Sequence, residues 1–206
     1  MDPVEWSTLR LKDRVRLPMR LLLVGINPGV RSAVTGHHFA GYSNRFWKLL
    51  YESGLVPEPI GYEDDDRLPE WGIGITNLVS RPSPGIDTLA RAEYVAGASA
   101  LRRKVRRWRP EIVALVGVTL FRVLSATKPG AAVDLGVQTD PFEGAELFVL
   151  PNPSGRNANY SYAEMLAAFS RLRTRLNARP PRRRRGVGKM SGHRRLERHS
   201  TETPQD

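Results

Sequence analysis

Residues 21–29, Leu-Leu-Leu-Val-Gly-Ile-Asn-Pro-Gly, constrain the fold more than any other stretch of the chain. Four apolar residues run without interruption, and Ile26 follows Gly25. A strand with one wet face alternates apolar and polar residues. This one does not, so it must be buried on both faces, as in a parallel sheet covered by helices. Gly25 and the Pro28-Gly29 pair then break it. The polar Asn27 is left at the carboxyl edge of the sheet, where open α/β sheets bind their ligands. A second stretch has the same character: Leu147-Phe148-Val149-Leu150 runs into Pro151-Asn152-Pro153-Ser154-Gly155. The expected arrangement is two strand ends facing one crevice, each delivering an Asn.

The chain between and around them alternates strand and helix signals. Strands are expected at about 20–26, 72–80, 112–118 and 146–150, with weaker strand material near 133–138. Phe46, Trp47, Leu50 and Tyr51 have helical spacing, with Ser43 or Asn44 as a cap and Gly54 as the stop. Further helices are expected over 88–108, 119–126 and 161–177. The alternation predicts one α/β domain, a three-layer α/β/α sandwich around a mainly parallel sheet. Residues 27–44 show no period and read as a long functional loop. Residues 56–70 hold three prolines and the run Glu63-Asp64-Asp65-Asp66. They read as a surface loop with one helical turn, whose acidic run should face away from any bound DNA. The basic end of the third helix, Arg102 to Arg109, suits a helix C-terminus and also a DNA backbone.

Composition narrows the function classes. The chain has 206 residues and no cysteine, which excludes disulfides, thiol catalysis and cysteine-ligated zinc or iron–sulfur centres. The formal net charge is +11. Residues 179–206 hold nine Lys/Arg against three Asp/Glu, so tail and body share the excess. Polyanion binding and a simple preference for Arg over Lys both account for it. The expected division is a domain over 1–178 and a basic tail over 179–206 that cannot bury apolar surface. With no leader and no long apolar run, a soluble cytoplasmic protein is expected, with no membrane association.

Gly25-Ile26-Asn27-Pro28-Gly29 and Asn152-Pro153-Ser154-Gly155 resemble the two active-site motifs of the mismatch-specific uracil-DNA glycosylases, bacterial relatives of thymine-DNA glycosylase. Gly36-His37-His38-Phe39-Ala40, Asn44-Arg45-Phe46-Trp47-Lys48 and Gly74-Ile75-Thr76-Asn77-Leu78-Val79-Ser80-Arg81-Pro82 are similar to that family too. The resemblance covers roughly residues 20–176, in order. It implies the uracil-DNA glycosylase-like fold and hydrolysis of the N-glycosidic bond of uracil in double-stranded DNA, at G·U mispairs. It also implies a monomer that needs no cofactor and no metal.

Such an enzyme must extrude a nucleotide, direct a water and stabilise the departing base. By resemblance Asn27 holds the water; many relatives carry Asp there, so Asn implies slower chemistry that rests on positioning. The alternative is an Asx turn with Pro28. Phe39 is expected to stack on the base, or else to plug the core. Backbone groups around Ile26 and Phe39 would read the base edge. Ser32, Asn77 and Asn152 occupy pocket positions. Ser154, Gly155, Arg156 and Asn157 form the expected wedge loop that enters the duplex. Arg156 stands where relatives present Leu, and Ser154 with Arg156 also suits a phosphate site at a helix start. Asp87 is a candidate catalytic carboxylate or the N-cap of the following helix. His37 and His38 are placed at the pocket mouth. Ser154 lacks the Gly-x-Ser-x-Gly elbow of a hydrolase nucleophile. Two other classes stay open: a catalytically weak DNA-binding module on the same fold, and a hydrolase or binder of free nucleotides.

Overall fold

β1 (Leu21–Gly25) is fully buried along its length, and its alternate residues feed two different cores. In the computed structural model, which describes residues 5–125 and 132–179, Leu21 and Leu23 face one side, and Leu22 and Val24 the other. β2 (Ile73–Asn77), β3 (Ile112–Val116), β4 (Gly136–Val137) and β5 (Glu146–Leu150) complete a five-stranded sheet in the order β2-β1-β3-β5-β4. All pairings are parallel except β4 with β5. The first core packs against α2 (Phe46–Glu52) and α5 (Tyr162–Asn177), through Phe46, Leu49, Leu50, Phe169 and Leu172. The second packs against α3 (Arg91–Trp108) and α4 (Val118–Ser125), through Leu101, Val105 and Leu120. This is the three-layer sandwich expected from the alternation.

The order places a topological switch between β1 and β3. The chain leaves β1 toward β2, then crosses to the far side of β1 to build β3 and β5. Loops at the carboxyl ends of β1 and β3 therefore diverge and leave a crevice. β3 lies between β1 and β5, so the two Asn-bearing strand ends are not neighbours. They face each other across the end of β3, which contributes only Val116 and Gly117 there.

Several local expectations are corrected. Residues 27–44 contain a short helix, α1 (Val30–Thr35), which a two-turn window with Arg31, Thr35 and exposed Val34 does not announce. Residues 62–71 are a 3₁₀ segment rather than a loop with a single turn. Within it Asp65 is fully buried, which a reading of residues 56–70 as a surface loop does not foresee. It accepts hydrogen bonds from Arg14 Nε at 2.9 Å and the His38 backbone N–H at 2.9 Å, so its charge is paired inside the fold. α3 starts three residues later than expected, and its basic end is partly neutralised within the molecule. Arg102 and Arg106 both bind Glu143, at 2.8 Å each, and Lys104 binds Asp13 at 2.8 Å. The basic tail from 180 onward lies outside the described residues. Arg179, placed at its start, is held on the body: its guanidinium binds Glu146 at 2.6 Å, and its carbonyl accepts from Arg20 at 2.8 Å.

Candidate active site

The carboxyl ends of β1, β2, β3 and β5 converge on one cavity of about 220 Å³. Ile26, Asn27, Ser32, Phe39, Asn77, Asn152, Ser154 and Arg156 all line it. Residues far apart in the chain, from Ile26 to Arg156, thus meet in one place.

Asn27 is held through its Nδ2, whose two hydrogens have three acceptors in reach. The acceptors are Ser83 Oγ at 2.7 Å, the Pro28 carbonyl at 3.0 Å and the Arg81 carbonyl at 3.3 Å. A carbonyl can only accept, so the amide cannot be turned round without breaking these bonds. The contact to Pro28 is local, but those to Arg81 and Ser83 come from 54 and 56 residues away, so the side chain does more than make an Asx turn. Oδ1 accepts no hydrogen bond among the described residues and is the polar atom left to face a ligand. The partner loop is itself tied down. Arg81 makes a two-point ion pair with Glu93, at 2.7 and 2.9 Å. That contact and the Ala90 backbone N–H hold the Glu93 carboxyl at about 2.

Phe39 has a left-handed backbone, φ 51°, uncommon for a non-glycine residue. Its ring stacks on buried Phe46 at 4.0 Å. One face is thereby occupied, and the residue also lines the cavity. A Cβ on Gly25 would lie 3.2 Å from this ring and 2.5 Å from Asn77 Oδ1, so only glycine lets both side chains close on the strand end. Ser32 accepts a hydrogen bond from the Ala40 backbone at 3.0 Å, which closes α1 onto the Phe39 loop.

His38 does not sit at the mouth, where the sequence alone would put it. It is 1% exposed, behind the cavity wall. Adjacent histidines in a polar loop give no sign of which one turns inward. Burial, the largest effect, lowers its pKa below the usual imidazole value and keeps it neutral. Its Nε2 meets the Lys12 carbonyl at 3.0 Å and its Nδ1 meets Asn77 Nδ2 at 3.4 Å. His37 is half-buried and paired with Asp65 at 3.1 Å.

The second strand end is built differently. Asn152 Oδ1 accepts from Ser154 N at 3.0 Å, Ser154 Oγ from Arg156 N at 3.3 Å, and the Asn152 carbonyl from Asn157 Nδ2 at 2.8 Å. Asn152 and Arg156 are exposed. Gly155 packs so closely that a Cβ there would lie 2.7 Å from the Ser43 carbonyl. Asn157 does not line this cavity; with Asn152, Ser154 and Arg156 it lines a neighbouring hollow.

Asp87 stands apart. It is exposed, lies in the short 3₁₀ turn Ile86–Thr88 and does not line the cavity. Nor does it cap α3, whose first turn is closed by Glu93 on the Ala90 backbone N–H at 2.9 Å. Sequence reasoning does not find Ser83, Leu11 or Ile86. Ser83 anchors Asn27, and Leu11 and Ile86 line the cavity. No local pattern marks them, because each meets the site only through the tertiary fold.

No helix among the described residues is long and apolar enough to cross a membrane. Comparison with known proteins agrees with the geometry. Residues 13–174 match the uracil DNA glycosylase superfamily. A G/U mismatch-specific uracil DNA glycosylase of Schizosaccharomyces pombe is 39% identical over 147 residues, which are 68% of this chain and 45% of that protein. The chain therefore spans about half the length of this curated relative. Topology, cavity and matched span agree, and the chain belongs to the uracil DNA glycosylase superfamily.

Proposed function

We propose that the protein is a monofunctional DNA glycosylase that hydrolyses the N-glycosidic bond of uracil in double-stranded DNA, at G·U mispairs, as a step of base-excision repair. The observation that carries this reading is the Asn27 amide in the cavity wall, whose nitrogen is engaged by the protein and whose oxygen accepts no hydrogen bond among the described residues. An extruded deoxyuridine stacks on the free face of Phe39. Asn27 Oδ1 holds a water against the anomeric carbon as the bond to the base breaks. The sugar develops oxocarbenium character and the uracil leaves as an anion, so the water needs positioning more than a strong base. Backbone groups around Ile26 and Phe39 read the base edge, with Ser32, Asn77 and Asn152 in the wall. Ser154, Gly155, Arg156 and Asn157 contact the DNA, and Arg156 fills the gap left by the extruded nucleotide. Asp87 has no part in this chemistry. The protein acts as a cytoplasmic monomer without cofactor or metal.

The test is a single-turnover assay on oligonucleotides carrying U opposite G, U opposite A, single-stranded U and T opposite G, with and without EDTA. The expected result is release of uracil from the G·U duplex, unaffected by EDTA. Tight binding to that duplex without release restores the DNA-binding module as the better reading.

A further inference from the structure

The rim of the cavity carries an aromatic residue that the proposed chemistry does not use. Tyr42 is 89% exposed. It stands in the turn over residues 41–44, closed by the Asn44 backbone N–H on the Gly41 carbonyl at 2.9 Å. Gly41, Ser43 and Asn44 line the cavity on either side of it. The ring is braced from within the protein. The Arg31 guanidinium lies 3.7 Å from its centroid and 5.4 Å from that of Tyr62. Arg31 is itself fixed, donating from Nε to the Ala40 carbonyl at 2.7 Å and from Nη2 to the Tyr62 hydroxyl at 3.1 Å. One face of the Tyr42 ring therefore rests on a held cation, and solvent has the rest. The turn is also joined to the loop after β5. Arg45 N donates to the Pro153 carbonyl at 3.0 Å, and Gly155 packs on Ser43.

We propose that Tyr42 is a stacking platform for a base next to the extruded nucleotide, and that it gives the protein a second substrate, uracil in single-stranded DNA. The inference rests on the reading that the cavity receives an extruded uracil. A single exposed side chain is ordinary on a protein surface. One braced by a fixed cation at the mouth of a ligand cavity is preorganised, because it has little conformational freedom left to lose on binding.

The type of strand follows from where base faces are available. In a duplex the neighbours of the extruded nucleotide stay paired and stacked. The one gap that opens goes to Arg156 in the proposed mechanism, and a ring at the rim finds no base face. A single strand has no partner to hold those neighbours in a stack, so their faces are open. Base–aromatic stacking is tolerant of sequence, because every base has a π-face. Tyr42 holds one neighbour at the rim while the uracil enters the cavity.

The experiment compares the full-length wild type, Tyr42→Ala and Tyr42→Phe, with melting curves for each. Uracil release is measured at subsaturating protein on a G·U duplex and on its uracil strand alone. Two further single strands carry an abasic spacer in place of the base 5′ or 3′ of the uracil. Wild type should release uracil from both the duplex and the plain single strand. In Tyr42→Ala the ratio of single-strand to duplex release should fall by about fivefold or more, the low end for losing one stacked base. Tyr42→Phe keeps the ring and should keep the ratio within about twofold of wild type. A spacer on the stacked side should bring wild type down to the Ala variant and leave that variant unchanged. An unchanged ratio in the Ala variant, a Phe variant as poor as Ala, or a wild type indifferent to both spacers would each overturn the platform. If the Ala variant does not fold, the spacers on wild type decide. Release from the duplex with none from the single strand overturns the second substrate and leaves the glycosylase reading intact; release from neither overturns both.

Discussion

The loops after β1 and after β5 both begin at a buried strand and both carry an Asn at the cavity, yet they are held in different ways. Asn27 is bonded to a loop more than fifty residues away, and that loop is locked by Arg81 and Glu93. The side-chain bonds of residues 152–159 close on the loop itself. Its ties to the rest of the molecule are the Pro153 carbonyl, which accepts from Arg45 N at 3.0 Å, and the packing of Gly155 on Ser43. The first loop is preorganised, as the water-placing role proposed for Asn27 requires. The second is exposed and locally built, as the proposed contact with a variable duplex requires. The two should respond to mutation differently: the chemical step for the first, engagement of DNA for the second.

The largest effect that tests this contrast is Asn27→Ala. Single-turnover uracil release should fall by on the order of 10²-fold or more while duplex binding holds; turnover near wild type removes Asn27 from the mechanism. Next is Arg156→Ala, which should slow release from the G·U duplex by roughly tenfold, because stacking and gap filling go with the side chain. Release from single-stranded uracil should be unchanged, and an equal fall on both substrates would erase the distinction between the loops. Ser83→Ala takes one acceptor from the Asn27 amide without touching DNA. Since a hydrogen bond contributes about 0.5–1.5 kcal/mol net, the chemical step should slow by roughly three- to tenfold. A change in binding alone would place Ser83 on the DNA side of the comparison.

Two changes should leave the chemical step alone. Asp87→Asn should release uracil within about twofold of wild type, since its side chain is exposed and off the cavity. Truncation after Arg179, which keeps the bonds of that residue to Glu146 and Arg20, removes eight cationic side chains. It should weaken duplex affinity and flatten its salt dependence, by about 0.9 in log–log slope for each phosphate the tail would otherwise neutralise. Equal slopes for both proteins would show the tail to be a passenger; a slower chemical step would show it packed on the site.

The layers and the location of the cavity follow from the sequence alone. An unbroken apolar run such as Leu21–Val24 has no other stable place than the middle of a covered sheet. A polar residue just past its end must emerge at the carboxyl edge. Those rules are local, and they hold for the end of β5 as well. Asn27 and Asn152 are legible for the same reason, each just past the end of an apolar run, whereas Phe39 and the pocket role of Asn77 are marked by the resemblance of their motifs to the family. Every pairing between distant segments, by contrast, comes from the tertiary fold. Ser83 looks like any serine between two prolines, His38 like the neighbour of His37, and Asp65 like one of four acidic residues. Their roles come from what the fold brings against them: the Asn27 amide, the Lys12 carbonyl and the Arg14 guanidinium. A single sequence carries no local mark of a partner 26 to 56 residues away. Burial, tautomer and amide orientation are properties of those meetings, and they exist only once the chain has closed.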